Sequence, residues 1–239
     1  MRNVFLLVGF FLFLVSVLTW WGIEEDYQQI SKEEHLSSWA LLASIQHKDI
    51  LLGLFLTSMT IQMIGQSISP ILSLYVRELG QSDNVIFVSG LIVSAMGISS
   101  ILTSGWMGKL GDKIGNHRLL LLALLYSGIL YIFCALAQTP FQLGLLRFLF
   151  GIGTGALMPG VTALLNRMTP KEGISRIFSY NQLFFYIGGV LGPMMGSSIA
   201  MHVNYHWVFY GTAILAFIDL AFLLFIFRKY LKVREISAH

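Results

Sequence analysis

Charged residues are scarce in this sequence of 239 residues: Asp, Glu, Lys and Arg make up 11% of it, where a soluble domain carries roughly 25%. Hydrophobic residues make up 56%, and the mean hydropathy is +0.74. One soluble core of this length could not bury so much apolar surface. The composition therefore excludes a water-soluble globule and a disordered chain, and it predicts a protein solvated by the lipid bilayer.

Cysteine is almost absent, since Cys134 is the one cysteine in the sequence and lies within an apolar run. A single cysteine excludes an intrachain disulfide and a zinc site built from several thiolates. The net charge is only +3, and the basic residues fall in short clusters between apolar runs, so no nucleic-acid partner is predicted.

Catalytic and nucleotide-binding motifs are missing as well. The sequence contains no Gly-x-x-x-x-Gly-Lys-Ser/Thr phosphate loop, no His-Glu-x-x-His zinc pair and no Gly-x-Ser-x-Gly nucleophile turn. We therefore expect no enzyme activity, no cofactor and no metal.

Seven apolar runs are long enough to cross a membrane, because a hydrocarbon core about 30 Å thick needs roughly 20 apolar residues in a helix. A lipid-exposed backbone must satisfy its own hydrogen bonds, which favours helices, and the runs lack the alternation of a membrane β-barrel. The predicted fold is an all-α membrane protein with seven transmembrane helices, near residues 3–22, 50–76, 85–106, 119–137, 141–165, 177–201 and 208–227.

The Lys and Arg residues predict the orientation. A cytoplasmic C-terminus places twelve of them in cytoplasmic segments and only Arg2 and Arg77 outside, as the positive-inside rule requires. The predicted organisation is a transmembrane helix at 1–22, an acidic cytoplasmic linker at 23–49, and a six-helix unit at 50–239 with a short cytoplasmic tail. The protein is expected to be a multi-pass protein of the cell membrane.

Two charged side chains lie inside the predicted spans. Arg147 lies about 9 Å below the outer boundary at 1.5 Å per residue, where an unpaired charge costs roughly 2.5–3.5 kcal/mol or more. Asp219 lies about 17 Å into the last span, near the midplane. Each is a candidate for binding substrate or a coupling ion. The alternatives are that Arg147 snorkels to the surface and that Asp219 is protonated or hydrogen-bonds a neighbouring helix.

Uncharged polar residues form two patches within the spans. Gln62 and Gln66 lie one turn apart in the second span, and Asn181, Gln182 and Tyr186 lie in the inner half of the sixth. Such patches either line a wet cavity that binds substrate or hydrogen-bond helices together, and the sequence leaves both interpretations open.

Glycines recur at short spacing in two of the spans. Small residues at this spacing let helix backbones approach closely, and proline within a helix bends it. Such helices either pack statically or rock against each other during a conformational cycle. The glycines are Gly151, Gly153 and Gly155 in the fifth span and Gly188, Gly192 and Gly196 in the sixth, with Pro159 and Pro193 as predicted bends.

The segment Gly108–Arg118 reads GKLGDKIGNHR. It predicts a short cytoplasmic hairpin with two tight glycine turns, in which Asp112 could face a helix N-terminus and its positive dipole end. The alternative is an ordinary basic loop that only sets the orientation.

This segment resembles the signature loop of the major facilitator superfamily, and Gly108, Asp112, Lys113 and Gly115 match its pattern. LLRFLFGIGTGALMPG resembles the superfamily's Arg-bearing helix, with Arg147 and Gly151 at the matching positions. GGVLGPMMGSS, which contains Gly188, Gly192, Pro193 and Gly196, is similar to the Gly-Pro motif of drug:proton exporters.

The resemblance covers nearly all of residues 50–235 and is greatest to the C-terminal half of multidrug exporters of the drug:H⁺ antiporter-1 group. It implies a six-helix bundle of two inverted three-helix repeats. It also implies alternating access, in which a small amphipathic or cationic drug is expelled as protons enter. Residues 1–22 then resemble the sixth helix of a full transporter, and 23–49 its central loop.

The resemblance further implies that this chain is a C-terminal half that needs an N-terminal half and is not competent alone. A complete half-size permease, acting as a homodimer with a second copy, is the alternative. A seven-span receptor is a less favoured alternative. A retinal protein in particular is disfavoured, because the last span, 208–227, contains no lysine.

Overall fold

A computed structural model describes residues 2–22, 48–81, 83–170 and 173–236. The chain divides into two units, residues 1–35 and 36–239. Within the described ranges the secondary structure consists of eight α-helices without strands, and seven of the helices are long and apolar enough to cross a membrane. This confirms the predicted all-α membrane fold. The predicted acidic linker, 23–49, lies outside the described residues except for Lys48 and Asp49.

The described residues of the first unit form one helix, α1 (Arg2–Gly22), whose side chains from residue 5 onward are exposed and almost all apolar. A helix that is apolar on every side is typical of a membrane span. The second unit contains α2 (Lys48–Gln66), α3 (Leu72–Glu78), α4 (Val85–Ile114), α5 (Asn116–Ala135), α6 (Pro140–Met168), α7 (Ile174–His202) and α8 (Tyr205–Ile236).

The single helix predicted over 50–76 is wrong, because the chain breaks between α2 and α3. Residues 67–71 form tight turns, in which the Ser69 N–H donates to Gln66 O at 3.2 Å and the Ile71 N–H donates to Ile68 O at 3.1 Å. Pro70 has no N–H to continue the helical ladder. Two helices therefore replace the one predicted.

The predicted hairpin with two glycine turns at 108–118 is also wrong. α4 continues through Gly108 and Gly111 to Ile114, and the chain turns only at Gly115, where φ is +95°. Glycine costs only about 1 kcal/mol within a helix, and the Met, Leu and Lys residues around Gly108 and Gly111 favour helix. Gly115 is the position that needs glycine, since other residues rarely adopt this backbone angle.

Two parallel helix pairs form most of the second unit. α2 packs against α7, with Gly188 and Gly192 of α7 over Met59 and Met63 of α2, and α4 packs against α6 in the same way. α5 and α8 run antiparallel, because His206 at the start of α8 contacts Ala135 at the end of α5, while Phe227, late in α8, contacts His117 at the start of α5. The broken span α2–α3, together with α4 and α5, forms one set of three spans, and α6, α7 and α8 form the other. A two-fold axis that exchanges the two sets would map the first pair onto the second, as expected for inverted repeats.

The core consists of two apolar layers. One contains Leu54, Leu120, Leu157 and Leu223, and the other is built around aromatic side chains, including Tyr75, Tyr131, Phe150 and Phe209. Among the described spans of this unit, α4 and α7 are the least buried. Their exposed faces carry large apolar side chains, which in a membrane protein contact lipid or another helical unit.

Candidate functional site

Asp219 is buried in the interior of the six-span bundle. Its side chain is 4% exposed, and Oδ1 accepts a hydrogen bond from Thr57 Oγ1 of α2 at 3.1 Å. Oδ2 has no hydrogen-bond partner among the described residues, and none of them forms an ion pair with this carboxyl group. A buried carboxyl group with one neutral donor is incompletely satisfied, so its packing depends on whether it carries a proton.

Arg147 is buried as well, with 6% of the residue exposed. Nη1 donates to the sulfur of Met96 on α4 at 3.7 Å. The guanidinium carbon lies 5.8 Å from the ring centroid of Tyr131 and 5.9 Å from that of Phe150, distances at which cation–π attraction operates. Nε has no hydrogen-bond partner within the part of the chain that the structure describes. The side chain thus lies in protein rather than snorkelling to the surface.

The two ionisable groups occupy different levels of the bundle, and both connect to α2. Tyr131, which contacts Arg147, donates its hydroxyl to the backbone oxygen of Ile64 at 2.7 Å. Thr57, the partner of Asp219, precedes Ile64 by seven residues, which is about 10 Å along the helix axis. The structure therefore does not pair Arg147 with Asp219. Each has its own environment.

Asn181 connects α7 to α2. It is buried, and its Oδ1 accepts a hydrogen bond from Ser58 Oγ at 2.7 Å. Since Thr57 contacts Asp219, adjacent hydroxyl residues of α2 bind α8 and α7 at one level. Asn181 therefore hydrogen-bonds α7 to α2, which is one of the two interpretations that the sequence left open for the polar patches.

The remaining polar candidates lie at the edge of the α2–α7 pair. Gln62 is half-buried beside Gly189 of α7, whereas Gln182 and Tyr186 are exposed. Positions 182, 186 and 189 share one face of α7. Since Gly189 lies beside Gln62, Gln182 and Tyr186 lie on the face of α7 next to Gln62. Gln66 lies one turn further on and accepts a hydrogen bond from Ser69 Oγ at 2.9 Å. We call Gln62, Gln66, Gln182 and Tyr186 the polar strip.

The glycine stripe of α7 is filled by the backbone of α2. A Cβ atom on Gly192 would lie 2.7 Å from Met63 O, and Cβ atoms on Gly188 and Gly196 would overlap Met59 O and Ser67 O. Pro193 lies within α7 beside this contact. Gly151 of α6 meets the backbone of α4 with equal closeness. Only residues without a side chain allow these approaches.

The signature residues lie at the end of α4 and the start of α5. Gly108, Asp112 and Lys113 belong to the last turns of α4, and the Asp112 and Lys113 side chains are exposed. Gly115 forms the turn. The expected contact of Asp112 with a helix N-terminus does not appear among the described residues.

Several residues that contact the buried polar groups, or approach them closely, were not among the candidates predicted from the sequence. Thr57 and Ser58 form a pair of hydroxyls within an apolar span, which is a detectable signal for interhelical hydrogen bonding. Tyr131 is a tyrosine in the middle of a span, also a detectable signal. Gly111 lies close to the side chain of Asn116, because a Cβ atom on Gly111 would overlap Asn116 Oδ1. Nothing in the sequence distinguished Met96 from other apolar residues of its span.

Comparisons with known proteins agree with this architecture. The family model described as Major Facilitator Superfamily matches residues 50–238. The chain is 58% identical over 235 residues to the multi-drug resistance efflux pump PmrA of Streptococcus pneumoniae, covering 98% of the chain and 59% of that protein. It is 46% identical over 237 residues to the PmrA homolog of Lactococcus lactis, covering 99% of the chain and 58% of the relative.

A further relative is the multidrug resistance protein MdtG of Salmonella arizonae, which is 44% identical over 214 residues, 89% of this chain and 53% of that protein. The chain thus spans between half and three-fifths of the length of these curated relatives. The match to the family model covers most of the chain and, apart from the first two residues of α2, all the described helices of the second unit. The resemblance seen in the sequence is confirmed: this chain belongs to the Major Facilitator Superfamily, whose members are membrane transporters rather than enzymes.

Proposed function

We propose that this chain provides one bundle of a secondary transporter that exports amphipathic or cationic drugs in exchange for protons. Proton coupling is proposed because the Asp219 carboxyl group is buried and has a single hydrogen-bond partner among the described residues. The drug substrates follow from the similarity to multidrug efflux pumps. The exchange proceeds by alternating access, in which two bundles rock about a site between them.

Asp219 is the proposed proton site. Burying an ionised carboxylate without a cation is costly, so gain or loss of the proton changes the free energy of packing between α8 and α2. Thr57 is the group that senses this change, since its hydroxyl contacts Oδ1. α2 also carries Gln62 and Gln66 of the polar strip, which links the proton site to the proposed substrate surface.

Arg147 is the proposed second element of the coupling. Its guanidinium joins α6 to α4 through a weak thioether acceptor, and its Nε is unpartnered among the described atoms. A carboxylate or a carbonyl oxygen would be a much stronger acceptor than the sulfur of Met96. A conformation that brings such an oxygen to Nε would therefore be stabilised, which makes α4 and α6 a candidate moving pair.

A second bundle completes the proposed substrate site. The polar strip lies along α2 and α7, and α7 exposes large apolar side chains beside it. An N-terminal transporter half is the proposed occupant of this surface, and a second copy of the chain is the alternative. We place the C-terminus in the cytoplasm, because the ends where Lys113, Arg118 and Arg167 lie then face inward.

The experiment measures efflux of a fluorescent cationic dye from a drug-sensitive host. The chain alone should give no efflux that depends on the proton gradient. Co-expression with an N-terminal half from a relative should give efflux that does depend on the proton gradient. In that complete transporter, Asp219→Asn should abolish the dependence on the proton gradient. The matched control is Asp83→Asn, which changes an exposed acid and should leave efflux unchanged.

Each result separates the parts of the proposal. Robust efflux by the chain alone, abolished by a protonophore, would replace the two-half arrangement with a homodimer. Normal proton-dependent efflux by Asp219→Asn at normal expression would remove Asp219 from the coupling. Absence of dye efflux from every combination that is correctly inserted would contradict the export of cationic drugs.

A further inference from the structure

The end of α4 carries a feature that the proposed transport cycle does not use. Trp106, Lys109, Leu110 and Lys113 line a shallow depression of about 300 Å³. Their spacing of three, four and seven residues places them on one face of the helix. All four are exposed, Trp106 to 77%. We call these four residues the Trp–Lys face.

The Trp–Lys face lies at the depth of lipid headgroups. α4 has 30 residues and is therefore about 45 Å long, against a hydrocarbon core of about 30 Å. Trp106 lies 21 residues after Val85, about 32 Å along the axis, so the turns from Trp106 onward extend beyond a hydrocarbon core that begins at Val85. Trp is typical of this boundary, and lysine stems lie along apolar surface while their ammonium groups reach the headgroups.

The charges of the face suit a phosphate group. Lys109 and Lys113 are one turn apart, and neither forms an ion pair with a described residue. The neighbouring acid, Asp112, is exposed and also forms none with them. Two ammonium groups and the indole N–H of Trp106 are donors only. They surround a depression whose floor includes Leu110, so the face offers donors to a phosphate and apolar contact to the chain attached to it.

A second bundle would leave this face open. α4 carries four glycines on which a Cβ atom would meet nothing within 4 Å, namely Gly90, Gly97, Gly105 and Gly108. At 100° per residue the stripe of Gly90, Gly97 and Gly108 lies about 150° around the helix from the centre of the Trp–Lys face, and Gly105 lies about 90° from it. Close helix packing uses small residues, so a second bundle docks on the stripe and lipid remains at the Trp–Lys face.

We propose that the Trp–Lys face binds the headgroup of an anionic phospholipid. The ammonium groups of Lys109 and Lys113 contact the lipid phosphate, Trp106 lies at the glycerol level, and Leu110 contacts the start of the acyl chain. This site does not depend on the transport activity proposed above.

The test uses a variant in which Trp106 is the one tryptophan and the other four are replaced by Phe. It is reconstituted in phosphatidylcholine vesicles containing, at equal mole fraction, either phosphatidylglycerol or phosphatidylcholine with brominated acyl chains, which quench nearby tryptophan. The anionic lipid should quench Trp106 with roughly tenfold higher apparent affinity, since each lysine near a membrane surface contributes to anionic-lipid binding. High salt should remove the preference.

Controls make the result specific. A variant that keeps only Trp207, exposed near the start of α8 at the opposite end of the bundle, should be quenched equally by both lipids. Lys109→Gln with Lys113→Gln should abolish the preference at Trp106, and Lys109→Arg with Lys113→Arg should retain it. If the single-tryptophan variants fail to fold, the difference between the unmodified protein and Trp106→Phe gives the same measurement.

Equal quenching of Trp106 by the two lipids would overturn the proposal. So would a preference that high salt or the two Gln substitutions leave unchanged. Weak quenching by both lipids would show that protein covers the face, which also contradicts a lipid site.

Discussion

Replacing Gly188 by alanine tests whether the α2–α7 contact requires a residue without a side chain. A Cβ atom there would lie 2.9 Å from the carbonyl carbon of Met59 and 3.1 Å from its Cα, and closer still to its carbonyl oxygen. These are backbone atoms, which no rotamer change can move. The neighbouring Gly189 is the matched control, because its Cβ would lie 3.5 Å from Gln62 Nε2, an ordinary contact with a side chain.

The magnitude follows from the difference between the two variants. Alanine improves helix propensity by up to about 1 kcal/mol at either position, so this contribution cancels in the comparison. Overpacking lowers the free energy of unfolding by about 1–3 kcal/mol. Only Gly188→Ala is expected to show this loss, because its Cβ atom forces α2 and α7 apart. For a chain of this size, that range corresponds to a Tm difference of roughly 2–12 °C.

Cys134 provides the assay. It is the single cysteine in the sequence and is buried, so a thiol-reactive fluorogenic dye labels the protein as it unfolds in detergent. Gly188→Ala should have the lower Tm, while Gly189→Ala should match or exceed the unmodified protein. Circular dichroism on the same samples checks the transition independently. Equal Tm values for the two variants would refute the close contact between α7 and the backbone of α2.

Three further predictions concern export, stability and orientation. In a complete transporter, Arg147→Ala should lower drug export without reducing membrane insertion, and Arg147→Lys should export equally poorly, because an ammonium group lacks the planar donor geometry of guanidinium. Full export by a normally expressed Arg147→Ala protein would reduce this residue to a structural role. Tyr131→Phe should lower Tm by roughly 2–4 °C, because it removes a buried hydrogen bond worth about 1 kcal/mol while the ring remains; an unchanged Tm in the dye assay would contradict that contribution. After Cys134→Ala, Val203→Cys should react in intact cells with an impermeant thiol reagent and Arg118→Cys should not, since both positions are exposed but lie at opposite ends of the bundle; the reverse labelling would invert the proposed orientation.

The membrane fold and the family could be predicted from the sequence because both depend on local patterns. An apolar run of about 20 residues is a span wherever it occurs, since lipid solvates it without help from the rest of the chain. The motifs around Asp112, Arg147 and Pro193 are contiguous for the same reason, and they indicated the superfamily that the family model matches.

Local patterns failed where the outcome depended on other helices or on small differences in backbone energy. The break at 67–71 and the extension of α4 through Gly108 and Gly111 each involve a cost of only a few kcal/mol, which packing can reverse. A proline or glycine in the sequence therefore indicated a place where the helix could change, without deciding whether it did.

The partners of the buried polar residues were decided by tertiary structure alone. Asp219 meets Thr57 from 162 positions away in the chain, and Arg147 meets Met96 and Tyr131 on two other helices. Such contacts depend on the rotation and register of the packed helices. Both are set by the packing of many side chains at once. From the amino-acid sequence it follows only that Arg147 and Asp219 need an environment other than lipid, because a charged side chain is costly in hydrocarbon wherever it stands in the chain. Which atoms supply that environment was decided only when α2, α4, α5, α6 and α8 packed together.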